Sequence, residues 1–292
     1  MLIELDKRMR HPLGGVSSYM QKGGENYMQL YIDFEFNGHK ASDFQLLLCS
    51  FDNEDVSSEQ NTGYELNLSS SRIPASNSWL LKGANYQNPY VFNMTMVINN
   101  NCGQTDKTSF SYEEVRTIEN WLSVSTYTNL ILDDEEYKDL IFRVIPSTIQ
   151  RHKQNGNVIG FSVEVTCDAP FAWKKEVKEL VLNGEQTVEI NNTSDDNLSK
   201  YIFPIVEFTP ASDGGFSIKN ETDNSEMKFE KLLTHDKLTI DSKGIITTDS
   251  ALDVYTTFNK HFLRLLHGTN SLSIKGNGTL KLTMTYPRKV GM

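Results

Sequence analysis

The sequence has few cysteines and no long apolar run. Cys49, Cys102 and Cys167 are widely spaced and odd in number, which fits neither a disulfide framework nor a Cys-x-x-Cys metal site, so buried thiols are expected. The longest apolar runs, such as Leu46–Cys49 and Leu130–Leu132, fall far short of the ~20 residues that cross a bilayer. The first residues carry acids where a signal peptide needs a positive start. We therefore expect no membrane insertion, and folding in the cytoplasm.

The sequence also lacks a cluster of basic residues. It has 28 Lys and Arg against 38 Asp and Glu, a net charge of −10 at pH 7, and residues 28–175 alone carry 11 basic and 19 acidic side chains. Proteins that hold nucleic acid use a basic stripe to displace counterions from phosphate. The acid excess therefore argues against stable DNA binding, although a negative surface would repel DNA and let it slide past.

Motifs for catalysis and cofactor binding are absent from the sequence. There is no His-Glu-x-x-His, no Gly-x-Ser-x-Gly, no Walker loop and no Gly-x-Gly-x-x-Gly. Asp133–Glu136 lacks the ligand spacing and the glycine of a calcium loop, so a solvated hairpin tip is expected. We predict no catalytic, cofactor-binding or metal-binding residue, while accidental carboxylate pairs leave glycoside hydrolysis open. No metal-site spacing relates the six histidines, which are His11, His39, His152, His235, His261 and His267.

Residue patterns before position 130 predict two strands and one helix. Ile32–Phe36 alternates apolar and acidic residues and precedes the turn pair Asn37-Gly38, which predicts a hairpin. Phe92–Ile98 is apolar at every second position, so one face of this strand should be buried. Ser111 and Glu114 have capping-box spacing at the start of an apolar face with helical period. A helix of about three turns should begin there.

A long hairpin is predicted next. Its strands are Ile141–Ile145 and Phe161–Val165, and the polar segment between them contains Arg151, His152 and Lys153 at the expected tip. This tip is cationic, so we expect it to reach a neighbouring molecule and to meet the acidic run described above.

The chain is expected to have three parts. Residues 1–27 contain Pro12 and two Gly-Gly pairs with little apolar period, and are interpreted as an N-terminal extension or arm. Residues 28–175 form a β-rich first domain that closes near Pro170. Residues 176–292 have short strands separated by Gly, Asn and Asp turns, which predicts an antiparallel β-sandwich. The strands expected there are Thr187–Ile190, Ile205–Phe208, Phe216–Ile218, Leu238–Ile240, Leu272–Ile274 and Leu280–Tyr286.

Two ordered sets of residues carry a family resemblance. The first half resembles the N-terminal domain of siphophage distal tail proteins, through Phe34–Gly38 with Ser42–Phe44, Ile118–Leu122 and Cys167–Trp173. The second half resembles the C-terminal galectin-like sandwich of that family, through Phe203–Phe208, Leu238–Lys243, Phe262–Asn270 and Leu280–Pro287. Together the matches span about residues 31–290.

The resemblance implies a structural protein with no enzymatic activity. Distal tail proteins form a homo-hexameric hub ring at the end of the tail of phages of Gram-positive hosts, and DNA passes through the ring. The resemblance implies contacts with the major tail tube protein, with a tail-associated lysin or tail fibre-like protein, and with receptor-binding or baseplate proteins. It places the chain in the virion at the distal end of the tail, after assembly in the host cytoplasm. Residues 28–175 would form the ring and residues 176–292 a separable appendage.

Two other functions are weighed against the hub. A carbohydrate-binding, lectin-like protein needs an exposed aromatic platform, and Trp79, Trp121 and Trp173 all precede the second domain. Weaker platforms there are Tyr201, Tyr255 and Tyr286. A wall-degrading hydrolase has no motif. Asp241 and Gly268 are expected to be structural, because Asp241 begins an Asp-Ser-Lys-Gly turn and Gly268 follows an apolar run where a positive φ fits.

Overall fold

The chain folds into two compact units, each mainly of antiparallel β-strands. A computed structural model describes residues 16–22, 25–31, 33–48, 65–99, 107–134, 137–196, 198–241 and 243–290. The first unit comprises Met1–Ala172 together with Lys289–Met292, and the second comprises Trp173–Arg288. The chain therefore passes between the units twice, once before Trp173 and once after Arg288.

The first unit contains eleven described strands. Across its main sheet β9, β10, β11, β8 and β5 follow one another, and β3 and β4 extend the sheet beyond β9. Two hairpins, β1–β2 and β6–β7, form separate two-stranded sheets. The strands are β1 (Val16–Lys22), β2 (Glu25–Tyr31), β3 (Phe34–Phe36), β4 (His39–Lys40), β5 (Leu46–Leu48), β6 (Leu66–Arg72), β7 (Trp79–Tyr86), β8 (Val91–Ile98), β9 (Thr128–Leu132), β10 (Leu140–Gln154) and β11 (Asn157–Cys167).

The sequence pattern places the core of the first unit correctly. Asn37 and Gly38 both have positive φ, 49° and 75°, and turn the predicted hairpin between β3 and β4. In β8, Met94 and Met96 are buried, and Phe92 and Ile98 pack against the same core. The predicted apolar face of this strand is therefore confirmed.

The predicted helix is α1 (Tyr112–Leu122), and its start is confirmed in detail. The Ser111 hydroxyl accepts a hydrogen bond from the Glu114 amide, and the Glu114 carboxylate accepts one from the Ser111 amide at 2.8 Å. Two shorter elements are a 3-10 helix, Ala41–Phe44, and α2, Val254–Thr257. The buried face of α1 consists of Val115, Ile118, Trp121 and Leu122.

The second unit is the antiparallel β-sandwich that the sequence predicts. Its longest path runs β18, β17, β14, β20 and β12, with β15 between β20 and β16, and β13 paired with β19. The strands are β12 (Ala172–Asn192), β13 (Tyr201–Ile202), β14 (Ile205–Pro210), β15 (Gly214–Asn220), β16 (Ser225–Leu232), β17 (Leu238–Ile240), β18 (Ile246–Thr248), β19 (Leu265–Leu266) and β20 (Gly268–Arg288). The apolar face of its last strand is buried, and Thr283 on the opposite face is buried as well; the residues of the apolar face are Leu280, Leu282, Met284 and Tyr286.

One expectation about the strands of the second unit is corrected. The separate strands expected at Leu272–Ile274 and Leu280–Tyr286 are one strand, β20, which pairs first with β15 and then with β14. Gly278, at φ 150°, lies where the strand changes partner and leaves room for the Thr209 carbonyl. The hairpin β1–β2 lies partly within the segment 1–27 that was expected to be an arm, and it extends past residue 28. The second unit begins at Trp173, close to the boundary that was expected near residue 175.

Candidate functional site

The side chain of Trp121 connects α1 to the hairpin that contains β3. The Trp121 ring nitrogen donates a hydrogen bond to the Phe36 carbonyl at 2.8 Å, and its ring stacks on Phe44 at a centroid distance of 4.4 Å. Trp121 is buried, so it belongs to the core and is not a sugar platform. The bonds therefore fix the helix against the sheet of the first unit.

A second set of bonds ties α1 to the long hairpin β10–β11. The Arg151 guanidinium donates two hydrogen bonds to the Glu119 carboxylate, at 2.5 and 2.7 Å. Arg151 lowers the pKa of Glu119, and the Glu119 carboxylate raises the pKa of Arg151. The imidazole of His152 lies 2.7 Å from the Ser162 hydroxyl of β11. These side chains therefore connect elements of one chain.

The expectation for the hairpin tip is corrected accordingly. The turn of the hairpin is Asn155-Gly156, and Arg151, His152 and Lys153 lie within the paired part of β10. Because Arg151 is paired with Glu119 of its own chain, its charge is already neutralised at short range. The expected contact between this cationic segment and the acidic run Asp133–Glu136 of a neighbour stays a prediction.

The acidic run lies in the connection between β9 and β10, as predicted. The amide of Asp133 donates a hydrogen bond to the Asp33 carbonyl at 2.9 Å, and the Asp134 carbonyl accepts from the Lys138 amide at 2.7 Å. Glu135 and Glu136 lie outside the described residues. Within the described ranges, no three His, Cys, Asp or Glu side chains come together in a way that would hold a metal ion.

The N-terminal end of α1 carries a third connection. The Lys107 ammonium donates hydrogen bonds to the Gln45 amide oxygen and to the Glu114 carboxylate, each at 2.6 Å. Lys107, and then the Ser111 amide, lower the pKa of Glu114. Sequence reasoning found the capping pair but missed Lys107. This lysine bonds to Gln45, which is 62 positions away in the sequence and is brought close only by the fold.

The two residues expected to be structural in the second unit have the local geometry that was predicted. The Asp241 carboxylate accepts hydrogen bonds from the amides of Lys243 and Ile245, each at 2.8 Å, which closes the turn. Gly268 has φ 84°, a conformation that glycine adopts without strain.

Two buried asparagines close to Gly268 were missed by sequence reasoning. The Asn270 oxygen accepts from the Leu266 amide and from the Asn220 amide group, both at 2.9 Å, and Asn270 donates to the Leu266 and Gly268 carbonyls. Both asparagine side chains are fully buried. They supply hydrogen bonds to backbone groups that lie inside the sandwich. The sequence around them does not distinguish them from surface asparagines.

Two of the three tyrosines that were considered as sugar platforms in the second unit lack an open ring face. Tyr286 is fully buried, and burial raises its pKa to about 12. The Tyr201 ring is covered by the Arg264 guanidinium at 4.5 Å. Tyr255 is exposed on α2. Stacking of a pyranose needs an open ring face, so of the three tyrosines only Tyr255 offers one.

One thiol and two further imidazoles have defined surroundings among the described residues. Cys167 is buried, as predicted, and desolvation followed by the charge of Asp168 raises its pKa to about 12. Cys49, Cys102 and His11 lie outside the described residues. The His267 ring binds the Ser194 carbonyl, and His235 binds the hydroxyl of Thr234. A thiol held protonated by burial is unsuited to nucleophilic catalysis.

Two hollows in the second unit are open to the surface. One of about 630 Å³ is lined by the middle of β12 and of β20 and by the turn between β14 and β15, and another of about 670 Å³ lies beside Asp223 and Arg264. The Arg264 guanidinium donates a hydrogen bond to the Asp223 carboxylate at 2.7 Å. Burial alone would raise the pKa of Asp223, but the hydrogen bonds from Ser225 and Arg264 outweigh burial, so the pKa is lowered.

None of the described helices is long and apolar enough to span a membrane.

Among the described residues, a group of exposed large apolar side chains lies on the hairpin β6–β7, which sequence reasoning did not predict. Five large apolar side chains between residues 68 and 81 are exposed. No residue from 65 to 89 is fully buried. The signal that was available is the consecutive run Trp79-Leu80-Leu81, because a strand with one buried face alternates.

Comparisons with known proteins agree with this architecture. A family model described as a phage tail protein N-terminal domain matches residues 30–169, and one described as a phage tail C-terminal domain matches residues 171–286. An SPbeta prophage-derived uncharacterized protein, YomH of Bacillus subtilis strain 168, is 25% identical over 181 residues, which cover 60% of this chain and 69% of that protein.

A solved structure shares the fold. The Dit protein of phage SPP1, described as a paradigm of the hub adsorption apparatus in phages that infect Gram-positive bacteria, matches with a TM-score of 0.59 at 9% identity. The match covers 87% of this chain and 99% of that chain. A chain of the phage P2 baseplate in its activated conformation with Ca covers 89% of this chain and 98% of its own length, with a TM-score of 0.49 and 8% identity. The resemblance to distal tail proteins is confirmed, and the chain belongs to the family of phage tail proteins that these two domain models define.

Proposed function

We propose that the chain is the distal tail protein of a siphophage of a Gram-positive host and forms a homo-hexameric hub ring. The observation that carries the proposal is the fold, which matches the SPP1 hub protein over 99% of that protein's length. The ring joins the tail tube to the adsorption apparatus. Its partners are the major tail tube protein, a tail-associated lysin or tail fibre-like protein, and receptor-binding or baseplate proteins.

The two units have different tasks in this proposal. The first unit closes the ring through a heterologous interface, in which one surface of a subunit meets a different surface of the next. The second unit forms the appendage on which adsorption proteins dock. Residues 28–175 carry a net charge of −8, which supports a ring whose lumen lets DNA pass without holding it.

The location of the chain in the virion tests the proposal. Tails from the phage or prophage that encodes the chain are labelled with a gold-conjugated antibody raised against residues 176–292. We expect one cluster of gold at the distal end of each tail. Label along the tail shaft, on the capsid, or on no part of intact virions would contradict the proposal.

The proposed structural role predicts that the chain does not hydrolyse cell walls. Purified full-length chain is incubated with host cell walls, and the release of reducing ends is measured against a known wall hydrolase as the positive control. We expect no release above the protein-free background. Release that disappears after substitution of one carboxylate would replace the hub proposal by a hydrolase.

A further inference from the structure

The hairpin Leu66–Tyr86, hereafter the apolar hairpin, presents apolar side chains on both of its faces. Along β7, Trp79 and Leu81 point to one face and Leu80 to the other, since strand side chains alternate. Their exposures are 67%, 57% and 55%, and those of Leu68 and Ile73 are 58% and 41%. Neither face therefore packs on a core within the described part of the chain.

The backbone of the apolar hairpin is equally open. β6 and β7 pair with each other and with no other described strand, so each has an outer edge of unpaired donors and acceptors. The base of the hairpin is anchored, since Tyr86 packs edge-on against Phe171 at 4.7 Å and the Gln87 amide donates a hydrogen bond to the Glu65 carbonyl. An isolated two-stranded hairpin is marginally stable in water, and an apolar edge strand invites pairing with another chain.

Charge indicates which surface covers the hairpin. Residues 66–86 contain Arg72 and Lys82 and no acidic residue, whereas residues 28–175 as a whole carry 19 acids against 11 bases. The rest of the first unit is therefore strongly acidic, with exposed carboxylates that include Glu35, Glu113 and Glu164. A second copy of this unit offers the opposite charge to a basic, apolar hairpin.

We propose that the apolar hairpin docks on the acidic first unit of the neighbouring copy of this chain. The inference rests on the proposed ring, and it names the element that closes it. The hairpin has 21 residues, close to the roughly 20–30 residues that one partner contributes to a stable interface. A hairpin meeting a different surface of its neighbour is the heterologous contact that a closed ring needs.

Different side chains of the apolar hairpin contribute different interactions at this interface. Trp79, Leu80 and Leu81 supply the desolvated centre, because aromatic and large aliphatic anchors dominate binding energy. Lys82 lies beside them and supplies attraction to the acidic surface, which raises the association rate and makes it dependent on salt. The exposed edge of β7 adds backbone hydrogen bonds to a strand of the neighbour.

Matched variants of the full-length chain test the inference by sedimentation velocity. The test variant is Trp79→Ser with Leu80→Ser and Leu81→Ser. The control is Val177→Ser with Val181→Ser and Ile245→Ser, which removes exposed apolar side chains from the second unit. We expect the control to assemble like the wild type, and the test variant to need at least tenfold more protein for half-assembly. Lys82→Glu should weaken assembly most at low salt.

The possible results distinguish a failure of the docking inference from a failure of the proposed ring. A test variant that assembles like the wild type overturns the docking of the hairpin and leaves the ring intact. A wild type that stays monomeric at its highest soluble concentration overturns both. Thermal unfolding of the test variant must match that of the control, because the substituted side chains are exposed.

Photocrosslinking gives a second readout that does not depend on the folding of the triple variant. Benzoylphenylalanine replaces Trp79 alone, and chains labelled with ¹⁴N and ¹⁵N are mixed before irradiation. We expect crosslinked peptides of mixed isotope that join position 79 to residues 28–175 of another chain. Crosslinks confined to one chain, or to residues 176–292 of another, would overturn the inference.

Discussion

Tyr286 shows at the residue scale how the second unit tolerates a polar atom in its core. The side chain is fully buried in β20, and its hydroxyl has no hydrogen-bond partner among the described residues. A buried, unpaired hydroxyl costs free energy, so Tyr286→Phe should stabilise the protein by about 1 kcal/mol. The measurement is the free energy of unfolding in urea, with Tyr201→Phe as the control. A loss of stability in Tyr286→Phe would show that the hydroxyl has a partner.

Gly268 has a left-handed backbone conformation that favours glycine. Its φ is 84°, and no atom would obstruct an added Cβ, so any cost of substitution comes from the backbone. Gly268→Val should therefore lower stability by about 1–3 kcal/mol. Gly214→Val is the matched control, since Gly214 also has open space and its φ is not positive. Equal melting temperatures for the two variants would contradict a structural role for Gly268.

At the scale of elements, the pair between Glu119 and Arg151 joins α1 to β10. Arg151 holds the pKa of Glu119 below the ordinary 4.5, so the pair contributes stability above that pH and loses it as the pH falls further. We expect the difference in melting temperature between wild type and Glu119→Gln to be constant near neutral pH and to shrink below 4.5. Both side chains are partly exposed, so the difference should be small. A difference that grows on acidification would contradict this assignment.

Elements with a buried face were predictable, and elements without one were not. The capping pair and the helical period identify α1, and alternation identifies β8, because in both cases burial imposes a regular spacing. The apolar hairpin has no buried face and carries Ser69, Ser70 and Ser71 in one strand, so its sequence shows no period. The unbroken length of β20 was hidden by the glycines at which it changes partner.

At the scale of the whole molecule, the first unit includes residues from the far end of the chain. Val290 is buried in its core although it follows the last strand of the second unit. Val290→Ala should lower stability by about 2 kcal/mol, through lost burial and a small cavity. Val181→Ala, at a position that is 69% exposed, is the control and should be near neutral. Denaturant unfolding measures both variants, and equal midpoints would contradict a core role for Val290.

The assembly surface was the part of the molecule that sequence could least define. Charge counting located the acid excess in residues 28–175, and this observation still supports the proposed lumen. The position of Arg151 in the hairpin was not predicted, because its partner Glu119 lies 32 positions away on α1 and only the fold brings the two together. The apolar hairpin was missed because exposure is a property of tertiary structure.

The mass of the purified full-length chain in solution tests the central claim most directly. Multi-angle light scattering across a range of protein concentrations measures it without a partner protein. A self-closing hub ring predicts a species with six times the 33.2 kDa mass of one chain, and no larger open polymers. A chain that remains at 33.2 kDa at every concentration, or that forms a continuous series of longer polymers, would contradict the account.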